Sequence, residues 1–106
     1  MVNSMFKSKK RKLKEECWNI NYSFIKWLHQ HLKVYKEDAG KTVDLTYHKF
    51  NYKDKEYTQL EIIDRLIELT DALIFEEKYF DMKEETDAKV KEMLDLFVLV
   101  FPTLWW

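Results

Sequence analysis

The chain has 106 residues, of which 35% are charged and 46% hydrophobic, the length and composition of one folded domain. It contains one Gly, one Pro and one Cys. Because tight turns depend on Gly and Pro, these counts predict a mainly helical fold. They also exclude glycine-rich phosphate loops, nucleophile elbows, an intramolecular disulfide framework and a cysteine-rich zinc site.

Charge is distributed unevenly along the chain, although the formal net charge is only −1. Positions 1–14 carry basic residues and no acid, positions 15–57 are balanced, and positions 58–106 have a net charge of −7. Such a basic arm attracts a polyanion, because lysine and arginine displace the counterions condensed on phosphates. The arm equally suits an anionic lipid surface, the acidic half of a second copy, or a solubilising helix start. The candidate nucleic-acid-binding residues of the arm are Lys7, Lys9, Lys10, Arg11, Lys12 and Lys14.

The first predicted element is one long N-terminal helix over segment 8–37. Its apolar side is broad and runs from Leu13 to Tyr35 at helical spacing. We expect Gly40 to end this helix in a left-handed cap.

The next predicted elements are a short β-hairpin or extended segment within 41–57, with its turn at Lys53–Lys55, and a second helix over about 59–80. Thr58 and Glu61 form a capping-box pattern at the start of that helix.

A third helix is predicted over about 82–101, with its cap at positions 81–84 and its end at Pro102. The expected architecture is therefore a single mainly α domain over 1–106. It has three helices, and residues 1–14 form a basic N-terminal arm.

Candidate catalytic chemistry is sparse. His29 and His31 point in opposite directions on a helix, so they cannot share a metal ion. In three pairs of carboxylates, the two acids of the pair lie one helical turn apart, which is a spacing that Mg²⁺ accepts. Helical nucleotide pyrophosphohydrolases hold Mg²⁺ with similar E-x-x-E and E-x-x-D turns. This chain lacks the E-E-x-x-E motif that supplies half of the metal ligands in those enzymes. We therefore expect no catalytic residue, no bound metal and no cofactor. The three pairs are Glu61 with Asp64, Glu68 with Asp71, and Glu92 with Asp95.

One face of the second predicted helix is acidic. The simple interpretation is a solvated helix face. The alternative is a surface that imitates a phosphate backbone and blocks a nucleic-acid-binding enzyme, as small viral inhibitors do. The residues of this acidic face are Glu61, Asp64, Glu68 and Asp71.

The last eleven residues, 96–106, contain no charge. They are too few to cross a bilayer, which takes about 20 apolar residues. Left in water they would form an apolar patch that soluble monomers avoid, so we expect part of the segment to lie in an interface. The candidate partner-binding residues are Phe97, Phe101, Leu104, Trp105 and Trp106.

These observations predict a non-catalytic interaction protein that binds another protein and forms a homo-oligomer. A small phage or mobile-element inhibitor of a host or defence complex is one concrete version. The alternatives are a nucleic-acid-binding accessory protein that uses the arm 7–14 and, third, a small Mg²⁺-dependent nucleotide hydrolase. The basic run does not lead into an apolar stretch, and Val2 excludes N-myristoylation. We therefore expect a cytoplasmic protein, in the host cell if it is viral, with no transmembrane segment.

Overall fold

The computed structural model describes residues 2–17, 19–77 and 84–106. These ranges contain four α-helices, a two-stranded antiparallel sheet and a 3₁₀ turn at Phe101–Thr103. A mainly helical fold with a small hairpin is thus confirmed. None of the described helices is both long enough and apolar enough to span a bilayer. The elements are α1 (Val2–Cys17), α2 (Ile20–Ala39), β1 (Lys49–Tyr52), β2 (Lys55–Thr58), α3 (Gln59–Glu77) and α4 (Glu84–Val100).

The prediction of one long N-terminal helix over 8–37 is wrong, and so is the count of three helices. Between α1 and α2, Asn19 has an extended backbone (φ −152°, ψ 74°) and occupies the N-cap position of α2. In an unbroken helix the Glu16 carbonyl would accept from the Ile20 N–H. It accepts the Asn19 N–H at 3.4 Å and the Ser23 hydroxyl at 3.1 Å instead. Asn and Ser compete with the helix for backbone hydrogen bonds, which favours a boundary here.

The prediction of a left-handed cap at Gly40 is also wrong. Its φ of −61° and ψ of −16° lie in the right-handed helical region. Glycine suits the position for a steric reason, because a Cβ atom there would press on the carbonyl oxygen of Lys36. The helix end is closed by the Ala39 carbonyl, which accepts the backbone N–H groups of Thr42 and Val43 at 3.1 and 2.9 Å.

The predicted hairpin is confirmed. β1 and β2 pair in antiparallel register, with Phe50 opposite Tyr57. The turn consists of two residues, Lys53 and Asp54, and is one residue shorter than expected. Both turn residues have positive φ, 49° and 64°, as a type I′ turn requires to follow the twist of the strands.

The capping box at the start of α3 is confirmed. The Glu61 N–H donates to the Thr58 hydroxyl at 3.1 Å, and the Thr58 N–H donates to the Glu61 carboxylate at 2.9 Å. α4 ends at Val100, and Pro102 lies in the 3₁₀ turn that follows, as expected. The cap predicted before α4 involves residues 81–83, which lie outside the described ranges.

The core lies where α3 packs against both α2 and α4. α1 stays outside this core, since every described side chain from Lys9 to Cys17 is exposed. The radius of gyration of 16.2 Å accordingly exceeds the value of about 13 Å for a compact chain of this length. The largest fully buried apolar side chains are Leu28, Ile62, Ile63, Leu66, Leu73, Met93 and Val100.

Candidate functional site

A row of five aromatic rings crosses the molecule from α2 to the end of α4. His31 stacks on Trp27 with ring centres 4.2 Å apart, and Trp27 stacks on Phe24 at 6.4 Å. Phe24 then meets Phe97 edge to face at 5.8 Å, and Phe97 meets Phe101 in the same way at 5.4 Å. The α2 members lie three and four residues apart, so they share one helix face. The row therefore joins α2 to α4 through ring contacts.

Much of this row is open to solvent. Trp27 is 51% exposed and Phe101 is 60% exposed. The same side of α4 presents Leu94 and Val98, which are 45% and 69% exposed and lie four residues apart. Monomeric soluble proteins keep contiguous apolar patches small, so this set is a candidate binding surface. We refer to these residues, together with the C-terminal tail, as the aromatic surface: Phe24, Trp27, His31, Leu94, Phe97, Val98, Phe101, Leu104, Trp105 and Trp106.

A groove of about 280 Å³ runs beside the row, between α2 and the end of α4. No Asp, Glu, Lys or Arg lines it. Apolar grooves between helices receive the apolar side chains of a partner, whereas a charged substrate would lose its hydration there without compensation. The lining residues are Trp27, Leu28, His31, Leu32, Tyr35, Phe97, Phe101 and Leu104.

Polar contacts hold the C-terminal tail beside the groove. The Tyr35 hydroxyl donates to the carbonyl oxygen of Trp105 at 3.0 Å, and the Trp106 indole N–H donates to the Thr42 hydroxyl at 3.1 Å. Trp105 and Trp106 nevertheless remain 74% and 66% exposed. The tail is thus anchored while its largest apolar side chains face solvent.

All five residues predicted to bind a partner lie in the tail or the aromatic row. Trp27, Leu94 and Val98 were not predicted to lie on the surface. Apolar spacing along a helix does not distinguish these exposed positions from buried neighbours such as Leu28 and Leu96. Which edge of a broad apolar face stays uncovered depends on the packing of α2, α3 and α4, and a single helix pattern does not contain that information.

The acidic face lies on the outer side of α3, and three of its four carboxylates have a partner within the chain. Glu61 is used in the capping box. The remaining negative charge is partly neutralised, so the face presents less charge than a phosphate backbone. The ion pairs are Asp64 with Lys36 at 2.6 Å and Glu68 with Arg65 at 3.0 Å, and Asp71 lies 3.9 Å from the His29 ring.

A polar cleft of about 370 Å³ lies between the hairpin and helices α3 and α4. Arg65 lies between two of its carboxylates: Nε and Nη2 donate to Glu92 at 2.6 and 2.9 Å, and Nη1 donates to Glu68 at 3.0 Å. The hydrogen bond from Arg65 holds the pKa of Glu92 below its ordinary value, and the pKa of Arg65 is raised in return. Asp95, paired with Glu92 in sequence, instead accepts the Tyr52 hydroxyl at 3.2 Å.

Two carboxylates of the cleft, those of Glu68 and Glu92, are therefore paired with a guanidinium group. Among the residues that the structure describes, no group of three or more His, Cys, Asp or Glu side chains is arranged to hold a metal ion.

The two helix histidines make separate contacts. His29 is the half-buried one, and its Nδ1 lies 2.9 Å from the Thr70 hydroxyl. That hydroxyl also lies within hydrogen-bond distance of the Leu66 and Ile67 carbonyl oxygens, at 2.8 and 3.1 Å. His31 is exposed and belongs to the aromatic row.

The basic arm forms most of α1. The side chains of its candidate residues from Lys9 to Lys14 are exposed, and none of these forms an ion pair with a described residue. This part of the arm is therefore not paired with the described acids of its own chain.

Comparison of the chain with protein-family models, with curated proteins and with solved structures gives no match.

Proposed function

We propose that this chain is a non-catalytic interaction protein that binds another protein chain through the aromatic surface. The observation that carries the proposal is the row of five rings, three of which (Trp27, His31 and Phe101) are exposed. The exposed side chains of Val98 and Trp105 continue the row. Trp, Tyr and Phe dominate the energetic centres of protein interfaces. Full burial of one large aromatic side chain is worth about 2–3 kcal/mol, so a few such residues supply a useful affinity.

We propose that the aromatic surface binds a second copy of the same chain. An isologous dimer brings the same patch of both subunits together, so the patch must not repel itself. The groove beside the row contains no charged residue, which permits this arrangement. An inhibitor of a host or defence complex would use the same surface on a different protein.

Two features support the absence of catalysis in this proposal. The apolar groove offers no charged side chain to a reacting group. In the polar cleft, the Arg65 guanidinium donates two hydrogen bonds to the carboxylate of Glu92. A metal-dependent hydrolase would need such a carboxylate as a ligand for its cation.

The test is sedimentation velocity over a wide concentration range. We expect the wild-type chain to self-associate, and we expect Val98→Lys to weaken association by roughly tenfold or more, because each subunit would then bury an unpaired charge. Tyr47→Lys is the matched control, since Tyr47 is 76% exposed and lies outside the aromatic surface. A wild-type chain that stays monomeric throughout would contradict the homo-oligomer, and equal effects of the two variants would contradict the assigned surface.

A further inference from the structure

α1 is a second, separate candidate for binding. It has 16 residues and is therefore about 24 Å long, and its described side chains make no contribution to the core. A helix of this length is marginally stable in water without tertiary contacts. Like charges four residues apart, such as Lys10 and Lys14, destabilise it further. A ligand that neutralises these charges would therefore stabilise α1.

The cations of α1 surround the helix. Consecutive residues step by about 100°, so the side chains at positions 9–12 leave the helix in all directions. This distribution fits a ligand that carries negative charge on two sides of the helix. The major groove of a B-form DNA duplex has that property, because it is about 12 Å wide, admits an α-helix and has phosphates along both edges.

Two other ligands fit less well. A helix that lies on a membrane buries a wide apolar face, whereas the described apolar side chains of α1 are Leu13 and Cys17 alone, and both line a groove at the joint with α2. A second copy would have to offer free carboxylates, but those of α3 and α4 at Asp64, Glu68 and Glu92 already form ion pairs.

We propose that α1 is a binding site for the phosphate backbone of a nucleic-acid duplex, with Lys9, Lys10, Arg11, Lys12 and Lys14 as its contacts. The site recognises phosphodiester charge, so it binds without sequence preference. Single strands should bind less tightly, because each phosphate contact releases fewer counterions from a single strand (about 0.7) than from a duplex (about 0.9). This activity is independent of the aromatic surface.

The experiment measures fluorescence anisotropy of short labelled DNA duplexes against the full chain, from about 50 to 200 mM salt. The test variant is Lys10→Gln/Arg11→Gln/Lys14→Gln. The control variant is Lys33→Gln/Lys55→Gln/Lys91→Gln, whose three sites are exposed and outside the arm. Both variants lose three positive charges, so both have a formal net charge of −4 instead of −1.

The wild-type chain and the control variant should bind the duplex with steep salt dependence. The slope of log affinity against log salt concentration should be less steep in the test variant by up to about 2.7. Between about 50 and 200 mM salt, the wild-type chain should therefore lose about 40-fold more affinity than the test variant does. Lys10→Gln alone should reduce the slope by about 0.9, which keeps the test decisive if the triple variant misfolds. Duplex binding should also increase the helix signal in circular dichroism.

Three results would overturn the assignment: no duplex binding at low salt, equal losses in the test and control variants, or arm-dependent binding to phosphatidylserine vesicles in place of duplexes. Parallel titrations with duplex RNA and single-stranded DNA identify which source of phosphodiester charge is preferred. Sequence-independent binding of any duplex supports the proposal, and a preference for single strands contradicts it.

Discussion

Arg65 links the two helices that carry most of the acidic residues of the bundle. Its guanidinium binds Glu92 of α4 through two N–H groups and Glu68 of α3 through a third. Such a two-pronged contact fixes geometry as well as charge. The side chain of Glu92 is 26% exposed, so its interaction is screened less than that of a fully exposed pair. Residue spacing predicted carboxylate pairs on each helix, but it did not reveal that Arg65 of α3 would bind Glu92 across the contact with α4.

The first prediction concerns acid stability. Because the pKa of Glu92 is lowered in the folded chain from about 4.5, its contribution to the free energy of unfolding is present above that value. The contribution is lost as the pH falls through the folded pKa. In urea titrations at about pH 6 and pH 3, we expect the wild-type chain to lose more stability than Glu92→Gln.

Glu37→Gln is the control for this comparison, since Glu37 is exposed and forms no ion pair with a described residue. It should follow the wild-type pH dependence. If Glu92→Gln also shows the full wild-type loss on acidification, the Arg65 contact does not contribute to stability.

The second prediction concerns Gly40. Replacing Gly by Ala at right-handed helical dihedral angles ordinarily stabilises a protein by about 0.4–1 kcal/mol. Gly40→Ala should have the opposite sign and cost about 1 kcal/mol, because the new Cβ meets the backbone oxygen of Lys36. Thermal and urea unfolding measure the change, with Lys41→Ala as the control that stays within about 0.5 kcal/mol. A more stable Gly40→Ala protein would refute this explanation of the glycine.

At the scale of elements, the features predicted correctly are those that short sequences determine. The Thr58–Glu61 capping box, the hairpin and the end of α4 before Pro102 each depend on residues within a few positions of one another. The break before α2 was missed because the apolar pattern continues through it. The competing signal was the polar pair Asn19 and Ser23, whose backbone and side-chain hydrogen bonds replace the helical bonds at this point.

The third prediction concerns the hairpin turn. Asp54 has a φ of 64°, a left-handed conformation that glycine adopts without the steric cost of a Cβ atom. Asp54→Gly should therefore raise the free energy of unfolding by about 0.5–1 kcal/mol, since type I′ turns favour glycine at this position. The contact of Lys53 with the Tyr52 ring is left in place by this change. Asp54→Ala keeps the Cβ atom and should give no gain, so equal stabilisation by both substitutions would argue against a strained turn.

At the scale of the whole molecule, the chain separates its apolar core from two exposed surfaces of different chemistry. α3 is covered by α2 and α4, whereas one edge of the α2–α4 contact remains open and carries the aromatic row. The sequence indicated more apolar surface than three helices could cover, which is how Phe97, Phe101 and the tail were selected. It did not indicate that α2 supplies the other half of the surface, because that requires the packing of α2 against α4.

The central claim is that the aromatic surface is a protein-binding surface, and site-specific photo-crosslinking in the cells that naturally contain the protein tests it most directly. A benzophenone amino acid replaces Val98 in one variant and the control residue Tyr47 in another, both exposed in the free chain. We predict that position 98 forms a covalent adduct with one defined protein and position 47 does not. If that protein is a second copy, the product has twice the 13.1 kDa mass of the chain. The absence of any protein adduct from position 98, or equal adducts from both positions, would contradict the claim.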